Sequence, residues 1–272
     1  MMRTLVRVAA AALALSGCAG PSAPAADPLA GAYTAVVSES AVPLAERLTA
    51  AFASGHPGMT WAVKEIGSSA TIAFLNGQDA DVGFVTRDLT VQDRTLVQTI
   101  GLGYTAQVLI VHPSNPVTNL SGAQLRGIFS GAIKDWSEVG GNAGPILVIL
   151  RSESSPTRTT LDPLLSTGSS PYRADAILTP DASAMLSAVS ASPRAIGMVS
   201  ALHLLGLASG PRAIGVDGVM PTRPNTEGGA YPYRRPISLV LPLNTYLIRP
   251  GAKAFLEFVH GEEGQRILRE FF

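Results

Sequence analysis

Cysteine is nearly absent from this sequence. Cys18 is the only cysteine among 272 residues, so no disulfide can form within a single chain. The four histidines, His56, His112, His203 and His260, are scattered, and no two of them have ligand spacing on one helix. Without a second cysteine or a pair of suitably spaced histidines, the sequence predicts no metal site and no cofactor.

Excess charge and catalytic motifs are also lacking. The chain has 20 basic and 20 acidic residues, and this balance argues against a general nucleic-acid binder. Most of the basic residues are arginine, whose planar guanidinium suits oxyanions, although composition alone assigns no ligand. Neither a Gly-x-Ser-x-Gly elbow nor an obvious Ser/His/Asp set occurs, so no motif for nucleophilic catalysis is present in the sequence.

No apolar run in the sequence is long enough to span a bilayer. The short run Val8–Leu15 follows the basic segment Met1–Arg7, which predicts a secretory signal over residues 1–17. Leu15–Cys18 resembles the lipobox of bacterial lipoproteins, which implies that Cys18 is acylated and becomes the first residue. The alternative is a free thiol after ordinary signal cleavage. Under the lipoprotein interpretation, residues 18–30, which are small and rich in proline, would form a tether between the lipid and the folded domain.

Strand-like and helix-like segments alternate along the rest of the chain, which indicates an α/β architecture. Strands are predicted at Tyr33–Val37, Thr60–Ile66, Asp81–Val85, Ala106–Val111, Ile146–Leu150, Ala195–Val199, Ile237–Leu241 and Thr245–Ile248. Helices are predicted at Pro43–Ser54, Ser68–Asn76, Ser121–Phe129, Asp181–Ser190, Ala252–Val259 and Glu262–Phe271.

Hydroxyl-bearing residues follow a strand and open a helix at three junctions. These junctions are residues 38–40 (SES), 67–69 (GSS) and 154–157 (SSPT). Helix N-termini leave N–H groups unpaired and carry partial positive charge. Each hydroxyl by itself fits a helix cap, but several of them converging would form a neutral, strongly donating pocket for an anion. The third junction lies within Arg151–Arg158 (RSESSPTR), where two arginines bracket four hydroxyls, and this combination indicates a small oxyanion.

Six segments, in order, resemble those of the phosphate-type substrate-binding proteins of bacterial ABC transporters, over about residues 33–272. They are Gly67–Thr90, Val111–Gly141, Arg151–Arg158, Ser192–Ser200, Tyr231–Leu241 and Phe255–Leu268. The resemblance implies an α/β fold of the two-lobed periplasmic-binding-protein clamshell (type II), with mixed sheets flanked by helices and a hinge. Residues 31–111 and 233–272 would form lobe 1, and residues 112–232 lobe 2.

The resemblance also implies which residues contact the oxyanion. Arg151 would pair with it through charge-assisted hydrogen bonds, and the hydroxyls of Ser68, Ser155 and Thr157 would donate to it. Backbone N–H groups at Ser40, Ser155 and Thr157 would supply further donors. The full predicted set is Ser38, Glu39, Ser40, Ser68, Thr86, Arg87, Arg151, Ser155, Pro156 and Thr157.

Three members of this set depart from the family pattern. Arg87 stands where many phosphate binders place an aspartate that accepts a proton from hydrogen phosphate, and arginine cannot accept. Pro156 replaces a glycine and has no N–H to donate. Glu39 stands where a small hydroxyl residue is usual. One hypothesis makes Glu39 the acceptor that Arg87 cannot be, and the alternative has Glu39 pointing to solvent and capping the helix near Pro43.

Other residues keep two interpretations. Arg158 is either a second anion contact or an ion-pair partner, of Glu153 or of an acidic residue in the other lobe. Tyr231 is either a core or hinge residue or a ligand contact. Trp61 and Trp136 are predicted to pack inside the fold.

The sequence therefore predicts a lipid-anchored, monomeric binding protein, periplasmic or exposed at the cell surface. It would capture a tetrahedral oxyanion, phosphate first, and deliver it to an ABC permease in the inner membrane, and it would catalyse no reaction. The alternative is an interaction or sensory protein of the same fold with weak or no anion binding. A hydrolase for phosphorylated substrates finds support only in the place for phosphate. Ala19, after the cysteine, leaves inner and outer membrane both open.

Overall fold

The computed structural model describes residues 27–166 and 172–272. The predicted signal peptide, Cys18 and most of the predicted tether lie outside the described residues. The strands are β1 (Gly31–Val37), β2 (Met59–Glu65), β3 (Val82–Val85), β4 (Val97–Val111), β5 (Asn119–Leu120), β6 (Leu147–Arg151), β7 (Ile177–Thr179), β8 (Ala195–Ser200), β9 (Arg212–Ala213), β10 (Gly215–Val216) and β11 (Arg234–Pro242). The helices are α1 (Val42–Ser54), α2 (Ser68–Asn76), α3 (Gly122–Ser130), α4 (Pro156–Leu165), α5 (Ala182–Ser190), α6 (Arg223–Glu227), α7 (Pro250–His260) and α8 (Glu262–Phe271).

The predicted alternation of strands and helices is confirmed, and two predicted strands are corrected. The predicted strand Ala106–Val111 is only the end of β4, which has 15 residues. Glycines interrupt the apolar pattern of its first half, so that half gave no strand signal in the sequence. The predicted strand Thr245–Ile248 is instead a single 3-10 turn. Asn244 starts that turn, because its side-chain oxygen accepts a hydrogen bond from the N–H of Tyr246 at 3.1 Å.

The large sheet is mixed. Its strand order is β2-β1-β3-β11-β4-β8-β6-β7, with β9 also paired to β4. β1 runs parallel to β2 and β3, whereas β11 is antiparallel to β3 and β4. On the other side of β4, β8 pairs antiparallel with β4 and parallel with β6. The two parallel groups therefore lie on either side of the antiparallel strands β11 and β4.

β4 belongs to both halves of this sheet. It pairs with β11 from Val97 to Ala106 and with β8 from Gln107 to Val111. The side chains of Thr105 and Ser200 are hydrogen-bonded at 2.8 Å near this change of partner, and both are buried. A continuous strand therefore links the two halves, while the predicted lobe boundaries stay predictions.

Separate buried cores accompany the two halves. One core packs the second half of β4 and β6 and β8 against α3, α4 and α5, with Trp136 and Tyr231 inside it. A second core packs β1 and β11 against α1, α7 and α8. On the opposite face of the same strands, a smaller third core lies under α2 and includes Val36, Ile72 and Val240. Helices therefore cover both faces of the sheet, and no helix among the described residues is long and apolar enough to cross a membrane.

Gly83 is expected to tolerate no larger residue. A Cβ at this position of β3 would lie 2.4 Å from Cγ2 of Thr71 and 2.9 Å from Cδ1 of Leu75. Because α2 packs directly on the strand, the variant Gly83→Ala should lower the free energy of unfolding by about 1–3 kcal/mol. Urea unfolding measures this change.

Gly101→Ala is the matched control, because a Cβ at that exposed glycine of β4 would meet nothing within 4 Å. Its free energy of unfolding should stay within about 0.5 kcal/mol of the parent value. Equal losses for the two variants would contradict the close packing of α2 on β3.

Candidate functional site

A cleft of about 610 Å³ lies beside the ends of β1, β2 and β6 and the N-termini of α2 and α4. It is lined by Glu39, Glu65, Ile66, Gly67, Ser68, Ser69, Ala70, Arg87, Arg151, Ser152, Ser154, Ser155, Pro156, Thr159, Pro180 and Arg235. The three hydroxyl-rich junctions singled out in the sequence all contribute to this lining. The structure therefore brings together segments that are far apart in the chain.

Six of the ten predicted contact residues line the cleft, and four lie behind its wall. The lining residues are Glu39, Ser68, Arg87, Arg151, Ser155 and Pro156. The residues behind the wall, Ser38, Ser40, Thr86 and Thr157, are buried. The direct ligand contacts predicted for these four stay predictions.

Ser68 joins two of the three junctions. Its hydroxyl is hydrogen-bonded to the hydroxyl of Ser38, which follows β1. The same oxygen accepts a hydrogen bond from the backbone N–H of Thr86, which follows β3, at 3.2 Å. Because β1 and β3 are parallel neighbours, their carboxyl ends meet at this point, and the start of α2 is held against both.

The hydroxyls at the three junctions do not cap their own helices. Ser38 and Ser155 precede a 3-10 turn and α4, respectively, and neither makes a side-chain cap hydrogen bond. Gly67 occupies the cap position of α2, with a φ of 77° that favours glycine. Within the described residues, no hydrogen bond occupies the backbone N–H groups of Ser68 and Ser69. The start of α2 therefore presents free donors and partial positive charge to the cleft.

A carboxylate of the chain itself occupies the donors of β6 and α4. Nη1 of Arg151 donates a hydrogen bond to Oε1 of Glu39, and the two side chains form an ion pair. The hydroxyl of Ser155 donates to Oε2 of Glu39 at 3.4 Å. The Arg151 and Glu39 side chains are only 2% and 5% exposed. The alternative in which Glu39 points to solvent is therefore wrong.

Arg151 is held by further contacts. Its Nη2 donates to the carbonyl oxygen of Pro180 at 3.0 Å, and its Nε has no hydrogen-bond partner among the described residues. On the other side of the pair, Nε2 of His203 donates to the carbonyl oxygen of Glu39 at 3.2 Å. Burial lowers the pKa of His203, which the Glu39 carboxylate opposes.

Arg87 is already paired at the cleft wall. Its Nη1 donates to Oδ2 of Asp93 at 2.6 Å and to the carbonyl oxygen of Asp88 at 2.9 Å. The Arg87 guanidinium, together with the Thr90 N–H and hydroxyl, holds the pKa of Asp93 well below its usual range, against a smaller effect of burial. Thr90 and Asp93 form reciprocal hydrogen bonds: the Thr90 N–H donates to Oδ2 of Asp93 at 2.8 Å, and the Asp93 N–H donates to the Thr90 hydroxyl at 3.1 Å.

Two charged residues that line the cleft, Glu65 and Arg235, were not predicted from the sequence. Glu65 ends β2 opposite Val37 of β1, and burial and the Glu39 carboxylate raise its pKa. Arg235 lies on β11; it donates to the carbonyl oxygen of Thr86 and, at 3.0 Å, to the hydroxyl of Thr160. Burial, and then the neighbouring charge of Arg87, lowers the pKa of Arg235.

Each missed residue had a weak signal in the sequence. Glu65 stands two residues before the glycine that opens α2, so a parallel β1–β2 pair places it beside the first junction. Arg235 lies just after residue 232, the predicted end of lobe 2. Neither signal was sufficient without the strand register.

The two interpretations of Arg158 and Tyr231 are now separated. Arg158 lies 3.6 Å from Asp162 and 3.8 Å from Glu153, both near it in the chain, and does not line the cleft. Tyr231 is buried, and its hydroxyl donates to the carbonyl oxygen of Gln107 at 3.0 Å. Arg158 is thus an ion-pair partner, as the second interpretation proposed, and Tyr231 is a core residue.

Gln107 has a side-chain partner at the start of α4. The hydroxyl of Thr157 donates to its Oε1 at 2.7 Å, so this hydroxyl is engaged within the fold.

No group of three or more potential metal-ligating side chains occurs in residues 27–166 and 172–272.

Comparison with known proteins identifies a family. A family model described as the PBP superfamily domain matches residues 22–263. The phosphate-binding protein PstS of Borreliella burgdorferi is 24% identical over 213 residues, which are 75% of this chain and 75% of that protein. The phosphate-binding protein PstS of Bacillus subtilis is 32% identical over 122 residues, which are 45% of this chain and 39% of that protein.

Solved structures show the same fold. A putative phosphate ABC transporter substrate-binding protein with bound phosphate, from Clostridium perfringens, is 27% identical, with a TM-score of 0.73. The match covers 88% of this chain and 98% of that one. An ABC-type phosphate transport receptor from Vibrio cholerae is 28% identical, with the same coverage and a TM-score of 0.65. The family resemblance and the fold class predicted from the sequence are confirmed.

Replacing Asp93 by asparagine is expected to make the free energy of unfolding depend less on pH in acid. Because the folded state holds the pKa of Asp93 below its unfolded value of about 3.9, its carboxylate stabilises the fold above that pH. This contribution is lost as the pH falls through the lowered pKa. The difference in unfolding free energy between the parent and Asp93→Asn should therefore shrink from about pH 5 towards pH 2 in urea titrations.

Asp88→Asn serves as the control, because Asp88 is an exposed neighbour that contacts Arg87 through its backbone carbonyl oxygen and not through its carboxylate. It should keep the slope of the parent. A difference for Asp93→Asn that stays constant over the whole range would contradict the role given to the Arg87 ion pair.

Proposed function

The chain belongs to the PBP superfamily, and from this membership we propose that it is an extracytoplasmic binding protein for a tetrahedral oxyanion, inorganic phosphate first. The named relatives and the phosphate-bound structure from Clostridium perfringens support this ligand. The protein would deliver the anion to an ABC permease in the inner membrane. It would act as a monomer and catalyse no reaction.

One observation carries this proposal. The donors of Arg151 and Ser155 already hold an anionic group, because both oxygens of the Glu39 carboxylate accept hydrogen bonds there. The start of α2, with free N–H groups, borders the same cleft. A site that accommodates a buried carboxylate has the positive charge and the donor geometry that an oxyanion requires.

The proposed contacts combine side chains and helix termini. Arg151 and Ser155 would bind the anion from one side of the cleft, and Ser68 with the start of α2 from the other. Arg235 is added to the predicted set, because it lines the cleft and forms no ion pair with a described residue. Closure of the two predicted lobes on the ligand would bring both sides together.

A second candidate, an interaction or sensory protein of the same fold, is favoured by the position of Glu39. With the carboxylate bound to Arg151, the charge that would attract a free anion is already neutralised. Such a protein would keep the fold and bind anions weakly or not at all.

Isothermal titration separates these functions. The protein carrying Cys18→Ser, stripped of endogenous ligand, would be titrated with phosphate, sulfate, arsenate and molybdate. Micromolar or tighter phosphate binding, with sulfate rejected, is the expected result and supports the transport function. A folded protein that gives no heat with any of the four anions would instead support the second candidate.

Pro156→Gly is expected to raise the affinity for phosphate. Pro156 is the first residue of α4, lines the cleft and has no N–H. A restored donor to a charged ligand contributes roughly 1.5–3 kcal/mol, so the dissociation constant should fall by about one to two decades. Pro163→Ala, which removes a proline from the interior of the same helix, is the control and should leave the constant unchanged. Equal effects of the two variants would contradict a missing donor at Pro156.

Lipid anchoring at Cys18 is a proposal that rests on the sequence alone, since the residue lies outside the described residues. Cys18→Ser should move the protein from the membrane fraction of the producing bacterium to the soluble extracytoplasmic fraction. Ser22→Ala, in the predicted tether, should leave it in the membrane fraction. A parent protein that is soluble would contradict the anchor.

A further inference from the structure

We propose that Glu39 is an internal competitor for the anion site, so that an incoming oxyanion has to displace its carboxylate from Arg151 and Ser155. The inference rests on the proposed function and names the residue that sets the affinity of that site. It differs from the hypothesis in which Glu39 assists binding by accepting a proton from hydrogen phosphate. The two ideas predict opposite effects of removing the Glu39 charge.

The contacts of Glu39 coincide with those that an oxyanion needs. Its Oε1 accepts from Nη1 of Arg151, and its Oε2 lies 3.4 Å from the hydroxyl of Ser155. Carboxylates and phosphates are bound by the same edge of a guanidinium, through charge-assisted hydrogen bonds. Both anions therefore require the same donors, and the ion-paired edge of Arg151 cannot serve both at once.

Most of the positive charge that lines the cleft is already paired, with Arg235 as the exception. Arg151 is neutralised by the ion pair, and Arg87 is neutralised by Asp93. Glu65 contributes a further carboxyl group to the same lining. A dianion placed next to the buried Glu39 carboxylate would be repelled, since screening is weak for buried groups. Displacement of Glu39 from Arg151 removes this repulsion and frees a full positive charge.

The location of Glu39 makes displacement possible. The residue lies in a 3-10 turn of three residues before α1, and it lines the cleft itself. Its backbone is held independently, because its carbonyl oxygen accepts from His203 and the neighbouring Ser38 N–H donates to the carbonyl oxygen of Phe84 at 2.9 Å. The side chain can therefore rotate into the cleft while the turn stays in place.

The ion pair also joins the two halves of the fold. Glu39 precedes Ala41 of one buried core, and Arg151 follows Leu150 of the other. In this structure the chain itself thus supplies the negative charge that bridges the cleft. A bound oxyanion would replace that bridge rather than create it.

Titration of Glu39→Gln and Glu39→Thr with phosphate tests the inference, in the full chain carrying Cys18→Ser. Glutamine keeps the size of the side chain, and threonine supplies the small hydroxyl residue usual in the family. Both variants should bind phosphate about 10- to 100-fold more tightly than the parent, because the competing charge-assisted bond is gone. Glu153→Gln removes one negative charge from an exposed carboxylate outside the cleft lining, without touching the Glu39–Arg151 pair, and should change the dissociation constant at most about threefold.

The gain should depend on Arg151. In the double variant Glu39→Gln/Arg151→Gln, the tighter binding of Glu39→Gln should disappear. Thermal unfolding gives a second readout, because Glu39→Gln leaves the buried Arg151 without its counter-charge. Its Tm should be below that of the parent in phosphate-free buffer and should rise more than that of the parent when phosphate is added.

Two results would overturn the inference while leaving the proposed function intact. One is unchanged phosphate binding by both Glu39 variants. The other is weaker binding with loss of sulfate rejection, which would make Glu39 a proton acceptor. Binding by Glu39→Thr, but not by the parent, would support the inference and the second candidate function. No binding by any of these folded proteins would overturn both the inference and the proposed function.

Discussion

A guanidinium that is almost inaccessible to solvent requires a counter-charge, and for Arg151 the chain supplies it in Glu39. The two residues are 112 positions apart and belong to elements of different buried cores. Around this ion pair the starts of α2 and α4 and the end of β6 are gathered into one cleft. The Glu39–Arg151 ion pair therefore orients hydrogen-bond donors of the site without a ligand.

The sheet provides the frame for that contact. β4 pairs with β11 along its first part and with β8 along its last part, so one strand connects the two halves. The hydrogen bonds of Gln107 to Thr157 and Tyr231 lie where β4 changes partners. Gln107 therefore links the point where β4 changes partners to the start of α4 and to the buried Tyr231.

The departures from the family pattern alter charge and donor number more than shape. Pro156 occupies the first position of α4, where proline is well tolerated, so the fold keeps its helix while the cleft lacks a donor. Arg87 is engaged by Asp93 and is held at the wall. Glu39 is buried instead of solvent-exposed. The same fold thus presents a cleft whose arginines are largely neutralised from within.

Local sequence patterns determined the α/β class, most element bounds and the three hydroxyl-rich junctions, because periodicity, capping residues and glycines act over a few neighbouring positions. The full extent of β4 was hidden, since its glycine-containing half is defined by pairing with β11. Ser68 and Arg151 were found because each lies in a motif of its own. Only the tertiary structure decided that Glu39 meets Arg151 and that Glu65 and Arg235 face the same cleft. Those contacts depend on strand register and on the packing of distant segments, which no local pattern encodes.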